Sequence, residues 1–140
     1  MTENFKIIGS FIKDMSSETP DAQTFIFVRD KISKYTLKID ITSKAVKKGI
    51  IEVNTIIKFS DRPEILKKSY FEITYTSIVK VDEKVSDKKE MEKIVLCDVP
   101  NKVYPNLERI FLNLLTDSGY PGIKFEKKIN FTELYKQRSN

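Results

Sequence analysis

From Tyr35 the chain alternates: Tyr35, Leu37, Ile39 and Ile41 are apolar, with Lys34, Thr36, Lys38, Asp40 and Thr42 around and between them. Successive side chains of a strand point to opposite faces, so this stretch predicts a strand with one apolar and one wet face. Lys47-Lys48-Gly49 is a turn signal, after which Ile51, Val53, Thr55, Ile57 and Phe59 repeat the pattern against Glu52, Asn54 and Lys58. Ser60-Asp61-Arg62-Pro63 predicts the next turn, because proline has no N–H to donate to a ladder. A third run puts Phe71, Ile73, Tyr75, Val79 and Val81 on one face and Lys68, Tyr70, Glu72, Thr74, Thr76 and Lys80 on the other. Short turns favour an antiparallel meander, and Phe5 to Lys13 predicts a fourth strand.

Other segments break this period. Asp14 to Lys31 holds Pro20, a polar start and the unbroken cluster Phe25-Ile26-Phe27-Val28. It reads as an irregular crossover whose cluster is either tucked under the sheet or left as a sticky surface. Asp87 to Leu96 predicts a short helix leading to a break at Pro100. Beyond Pro105, Leu107, Ile110, Phe111, Leu114 and Leu115 form one helical stripe opposite Asn106, Glu108, Arg109, Asn113 and Asp117, with Gly119 placed to end the helix. Phe131 to Gln137 predicts two final turns. The sum is an α+β domain, a four-stranded antiparallel sheet with helices on one face, in a single unit spanning residues 1–140. Tyr70, Ile50 and Ile56 share the wet face, which suggests that another subunit covers part of it.

Composition removes several function classes. The 140 residues suit one domain, and 40% are hydrophobic. The apolar runs fall far short of the roughly 20 residues a bilayer span needs, and the N-terminus has no long apolar signal core, so a cytoplasmic site of action is expected. There is one cysteine, Cys97, and no histidine, which leaves no zinc-ligand set and no imidazole base for a nucleophile. The four glycines form neither GxGxxG nor GxxxxGK[ST], so no phosphate-cradling loop is visible. Asp82 and Glu83, adjacent in a charged turn, read as solvated. No catalytic residue, metal or cofactor is expected.

The charge of +5 raises a binding function of another kind. Lys47-Lys48, Lys67-Lys68, Lys88-Lys89 and Lys127-Lys128 are candidates to neutralise nucleic-acid phosphates. Against this, 21 Lys accompany only 4 Arg, and base-edge readout leans on arginine. No aromatic RNA-binding motif, zinc finger or helix-turn-helix pattern accompanies the lysines.

Two blocks at the chain's ends carry a resemblance. Phe11-Ile12-Lys13-Asp14-Met15-Ser16-Ser17-Glu18-Thr19-Pro20 stands near the start; Pro100-Asn101-Lys102-Val103-Tyr104-Pro105, Gly119-Tyr120-Pro121 and Ile129-Asn130-Phe131-Thr132-Glu133-Leu134-Tyr135 stand near the end. In order and spacing they resemble the SecB family of bacterial protein-export chaperones, and together they cover about half of the chain. The resemblance implies a homotetramer, a dimer of dimers, acting as an ATP-independent holdase. Such a protein binds unfolded precursor proteins and delivers them to the translocation ATPase SecA. It implies a client groove, for which Phe25, Phe27, Tyr104 and Tyr120 are the candidates; the same aromatics also suit an ordinary core. It further implies an acidic face for SecA, matched here by Asp14, Glu18 and Glu72 with Tyr70 beside Glu72. The basic pI near 9.2 departs from the family's usual acidity. So do the end at Lys136-Gln137-Arg138-Ser139-Asn140, which lacks a longer acidic tail, and Thr76-Ser77, where the family often has paired glycines. Members that protect an antitoxin are the alternative within the family.

Overall fold

The computed structural model describes residues 4–125 and 129–139, the side chains of 138 and 139 excepted. Lys127-Lys128 and Asn140 therefore lie outside the described residues. The elements run β1 (Phe5–Glu18), α1 (Ala22–Arg29), a 3-10 turn (Ile32–Lys34), β2 (Thr36–Lys47), β3 (Ile50–Ser60), β4 (Tyr70–Val81), α2 (Lys88–Lys93), a π-helical turn (Ile94–Asp98), α3 (Val99–Asp117) and α4 (Phe131–Ser139). The four strands form one antiparallel sheet in the order β1-β4-β3-β2, with β1 and β2 at its edges. The α+β expectation holds.

Alternation fixes the sheet's two faces. Phe59 and Phe71 are cross-strand partners, as are Ile57 with Ile73 and Ile51 with Val79, and their side chains point inward toward the helices. Gly49 turns the chain from β2 to β3 at φ +77, a region in which glycine alone is unstrained. Over this inner face α3 lays Val103, Leu107, Phe111 and Leu115, all buried. Phe59 stands at the centre of the aromatic packing, with ring centroids 5.4 Å from Tyr35, 5.7 Å from Phe125, 6.0 Å from Phe111 and 6.3 Å from Phe71. Offset and edge-on rings at such separations add to simple area burial.

Three features depart from the sequence reading. First, β1 runs on through Glu18, so Asp14 to Glu18 belong to a strand and not to the crossover. Its pairing with β4 carries two irregularities, between Ile7 and Gly9 and between Ile12 and Asp14, which leave Ile8 and Lys13 as extra residues. Bulges of this kind interrupt the period that reveals a strand. Second, the crossover is helical. The Asp21 carboxylate accepts from the Thr24 N–H at 2.7 Å and caps α1, satisfying one of the donors that a helix start leaves open. Third, Pro100 breaks nothing. It sits in the first turn of α3, directly after the π-helical turn, where wider backbone spacing accommodates a ring that has no N–H to offer. Pro105 lies farther inside the same helix, which runs in register through to Asp117.

Gly119 ends this helical run at φ +102. A Cβ built there would lie 2.6 Å from Cε1 of Phe25, a contact with the body of a packed ring. Gly119→Ala is expected to lower stability by about 1–3 kcal/mol through backbone strain and overpacking together. Gly122, at φ +80 with open space around it, isolates the backbone share. Urea denaturation of the two alanine variants makes the comparison, and equal losses would show that Phe25 yields without cost.

Candidate functional site

The outer face of the sheet gathers the acidic residues singled out by the resemblance. Cross-strand pairing sets Glu18 opposite Tyr70, Ser16 opposite Glu72 and Asp14 opposite Thr74. Partners across a ladder share a face, so Asp14, Glu18, Tyr70 and Glu72 all point outward from two adjacent strands. The Lys13 bulge makes this so. With strict alternation continuing from Phe11, which lies opposite Thr76 on the outer face, Asp14 and Glu18 would point toward the helices. One extra residue reverses the phase.

Electrostatics differ between the two ends of this face. At the Glu18 end the Tyr70 hydroxyl donates to Glu72 Oε1 at 2.7 Å, and Lys58 Nζ stands 3.5 Å from the same oxygen. Burial, then the bond to Glu72 and the charges of Glu72 and Glu18, push the Tyr70 phenol up to about 12. It therefore remains a donor at any physiological pH. Toward the middle, Lys13 Nζ meets Glu52 Oε2 at 3.1 Å. Asn54 donates to Glu52 and to Thr42 and accepts from Thr76 at 2.6 Å. The bonds from Asn54 and Lys13 hold the Glu52 carboxyl below its usual range. Glu52 is thus engaged within the chain, while Asp14 and Glu18 are exposed.

Beside Glu18 and Tyr70 the surface opens into a cleft of about 670 Å³, lined also by Ser17, Thr19, Pro20, Leu66 and Lys68. Its Thr19-Pro20 wall leads directly into α1. The apolar cluster of α1 divides between inside and outside. Val28 is buried and Phe25 half-buried, whereas Ile26 is 62% and Phe27 37% exposed. Lys31 Nζ lies 5.1 Å from the centroid of the Phe27 ring.

The four groove candidates do not form one surface. Phe25 packs on Tyr120 with centroids 5.3 Å apart, but Tyr120 is itself interior, 2% exposed, with its hydroxyl 2.8 Å from Ser69 Oγ. Tyr104 is buried on α3 against Phe131 of α4, 5.5 Å between centroids. Burial, followed by the charge and close approach of the Glu108 carboxylate, pushes the pKa of the Tyr104 hydroxyl up. Tyr104 and Tyr120 are core residues in this chain; an aromatic pattern satisfies a core and a groove equally, and only burial separates them. Exposed apolar residues that the sequence reading did not single out as candidates are Ile8, Phe11, Ile12 and Met15 of β1, Val46 of β2, Leu66 between β3 and β4, and Leu134 of α4. Adjacent Phe11 and Ile12 were the visible sign, since a strand with one wet face rarely carries neighbouring large apolar residues.

Among the described residues no group of three or more His, Cys, Asp or Glu is placed to hold a metal ion, and no helix is long and apolar enough to cross a membrane. Three lysine pairs are described. Lys47-Lys48 sits at the β2–β3 turn and Lys67-Lys68 before β4, at opposite ends of the sheet, and Lys88-Lys89 opens α2. They do not line up as one phosphate track.

Comparison with known proteins places this geometry. The family model described as "Preprotein translocase subunit SecB" matches residues 1–140. The chain is 86% identical over 140 residues, the whole of both chains, to a Pelagibacter ubique protein named "Putative protein-export protein SecB". It is 26% identical over 134 residues to the protein-export protein SecB of Rhodospirillum rubrum, covering 94% of this chain and 80% of that one. The fold is similar to that of a SecB-like chaperone of Mycobacterium tuberculosis, solved in complex with a ChAD peptide from the HigA1 antitoxin. The TM-score is 0.68 at 9% identity, with 91% of this chain and 92% of that one covered. With a four-stranded sheet, helices on its inner face and a match along its entire length, the chain belongs to the SecB family of protein-export chaperones.

Proposed function

We propose that the protein is an ATP-independent holdase that binds unfolded precursors in the cytoplasm and hands them to SecA. The observation that carries this reading is the gathering of Asp14, Glu18, Tyr70 and Glu72 on one outer face, next to a cleft that leads into the exposed apolar residues of α1. Holding is a matter of linkage: a protein that binds the unfolded chain and not the native one draws the equilibrium away from folding without any fuel. Ile26 and Phe27 offer clients apolar contact that demands no particular sequence, and Phe25 fixes them from beneath. Tyr120 supports this surface by packing on Phe25, whereas Tyr104 packs on Phe131 of α4 instead. The acidic residues suit a basic docking segment of SecA, through steering and rim contacts. The antitoxin-protecting alternative has no use for such a face, which favours export.

The two sheet edges support an oligomer. β2 carries Lys38, Lys44 and Lys47 with Lys48 beyond it, a charged border of the kind that blocks strand pairing, with Val46 its one large exposed apolar residue. β1 exposes Ile8, Phe11, Ile12 and Met15 instead. We infer self-association through β1 and onward to a tetramer. Light scattering is expected to give four times the chain mass, and Phe11→Lys with Met15→Lys to lower it; a monomeric wild type would end this inference.

Holding is tested by the refolding and aggregation of a denatured secretory precursor without ATP. Near-stoichiometric protein is expected to suppress both. Ile26→Ala with Phe27→Ala, at exposed positions where substitutions rarely shift stability by more than about 0.5 kcal/mol, is expected to weaken holding at least about tenfold. Unchanged holding by the folded variant would return these residues to a purely local role.

Docking separates from holding. Glu18→Lys with Glu72→Lys is expected to leave precursor holding intact and to cut SecA affinity by about tenfold or more, measured by titration calorimetry at low salt. Equal SecA binding by the double variant would refute the docking face.

A further inference from the structure

Four distant parts of the chain meet at Ser69. This residue, wholly buried immediately before β4, donates its backbone N–H to the Tyr35 hydroxyl at 2.9 Å. Its own hydroxyl bonds to that of Thr19 at 2.6 Å and to that of Tyr120 at 2.8 Å. Thr19 is the first residue after β1, and Tyr35 the last before β2. The entire crossover thus begins and ends on the same buried serine. Tyr120 ties in the middle, because its ring carries Phe25 of α1 at 5.3 Å and meets Phe71 edge-on at 5.7 Å.

The crossover depends on these ties. α1 has eight residues, far fewer than the about 12–15 at which even a favourable isolated helix becomes marginally stable. Apart from the Asp21 cap, its order comes from burying Val28 and Phe25 and from fixed ends. Burial holds the Tyr35 phenol at about 12, so its hydroxyl keeps its proton at neutral pH. The network is permanent under those conditions and not a pH switch.

We propose that Ser69 is the positioning residue of the client-holding surface: by fastening both ends of the crossover it presents Ile26 and Phe27 as a rigid apolar rib. The proposal rests on the reading that α1 contacts clients. Fixing these side chains before a client arrives removes an ordering cost that would otherwise be charged against binding. Ser69 itself touches no client.

The test uses the full chain and its Ser69→Ala variant, with reduced carboxymethylated α-lactalbumin as the permanently unfolded probe. Ser69→Ala removes the hydroxyl bonds to Thr19 and Tyr120 but keeps the backbone bond to Tyr35, so hydrogen exchange is expected to accelerate about tenfold across residues 19–29 while β3 and β4 keep their protection, as the loss of two internal bonds would give. Probe affinity is expected to fall about fivefold. The same substitution added to Ile26→Ala with Phe27→Ala is expected to cause no further loss, because the rib it would misplace is gone. Thr19→Val tests the same fastening with less intrusion, and Thr19→Ser, which keeps the hydroxyl, is expected to behave as wild type. An unaltered crossover exchange rate, a loosened crossover with full affinity, or an equal loss in the background lacking the rib each overturns the role of Ser69. A wild-type chain that fails to bind the probe overturns the holdase reading, and the role of Ser69 in presentation with it.

Discussion

The pairing of β1 with β4 decides what this protein shows to its surroundings. Side chains of a paired strand are locked to one face or the other, and a shift of one residue exchanges the whole set. β1 uses that rule twice. The extra residue at Ile8 changes the phase once, and the extra residue at Lys13 changes it again, so that Ser17 faces inward to bond Ser118 of the helix layer while Asp14 and Glu18 face outward. Lys13 is not idle in this position, since it reaches across to Glu52 and neutralises a carboxylate near the middle of the face. Among the described residues of β1 and β4, the carboxylates left without an ion pair on this face are then Asp14 and Glu18, with Glu72, at the Glu18 end, shared between Tyr70 and Lys58. A deletion of Lys13 would do more than remove a charge; it would turn that end of the strand over.

The inner side obeys a simpler constraint. Phe59, Phe71, Phe111 and Tyr120 interlock between sheet and helices, and the long helical run must lie over them to exclude water. The π-helical turn at Ile94–Asp98 lets that run absorb Pro100 without a break. It also forms the seat of α4, where Cys97 and Asn101 meet Thr132 and Phe131 closes over Tyr104. Core and crossover are then joined by hydroxyl bonds, Thr19 and Tyr120 to Ser69, in place of further apolar burial. Such bonds specify a position more strictly than grease does, because each needs an angle as well as a distance.

Much of this was legible in the sequence where a regular period governs. β3, β4 and the 36–45 part of β2 alternate, β2 breaking its period only at Val46, and the stripe from Leu107 to Leu115 buries as its spacing requires. The reading fails where one local event overrides the period. Bulges hid the second half of β1; the unbroken cluster Phe25 to Val28 masked α1, although Asp21 after Pro20 was a capping signal; and Pro100 suggested a break that the π-helical turn removes. For the site, Asp14, Glu18 and Glu72 are scattered acids to any pattern method; family resemblance singled them out, Asp14 and Glu18 in its first block and Glu72 on the third strand, where the period had put it on the wet face. The sheet register then brings them together. Tyr104 and Tyr120 went the other way, since no local pattern tells a buried aromatic from a groove-lining one. Ser69 was invisible, as a serine in a polar run announces nothing about three partners distant in the chain.

The contrast between the lysine-bordered β2 and the apolar β1 has a bearing on abundance. A lone chain with Phe11, Ile12 and Met15 in water has the same kind of surface as an unfolded polypeptide, so if copies associate through β1, dilution uncovers that edge and opens it to non-specific apolar contact. By mass action the covered fraction of that edge would rise with expression level, with a threshold concentration above which β1 is sealed and below which it is bare.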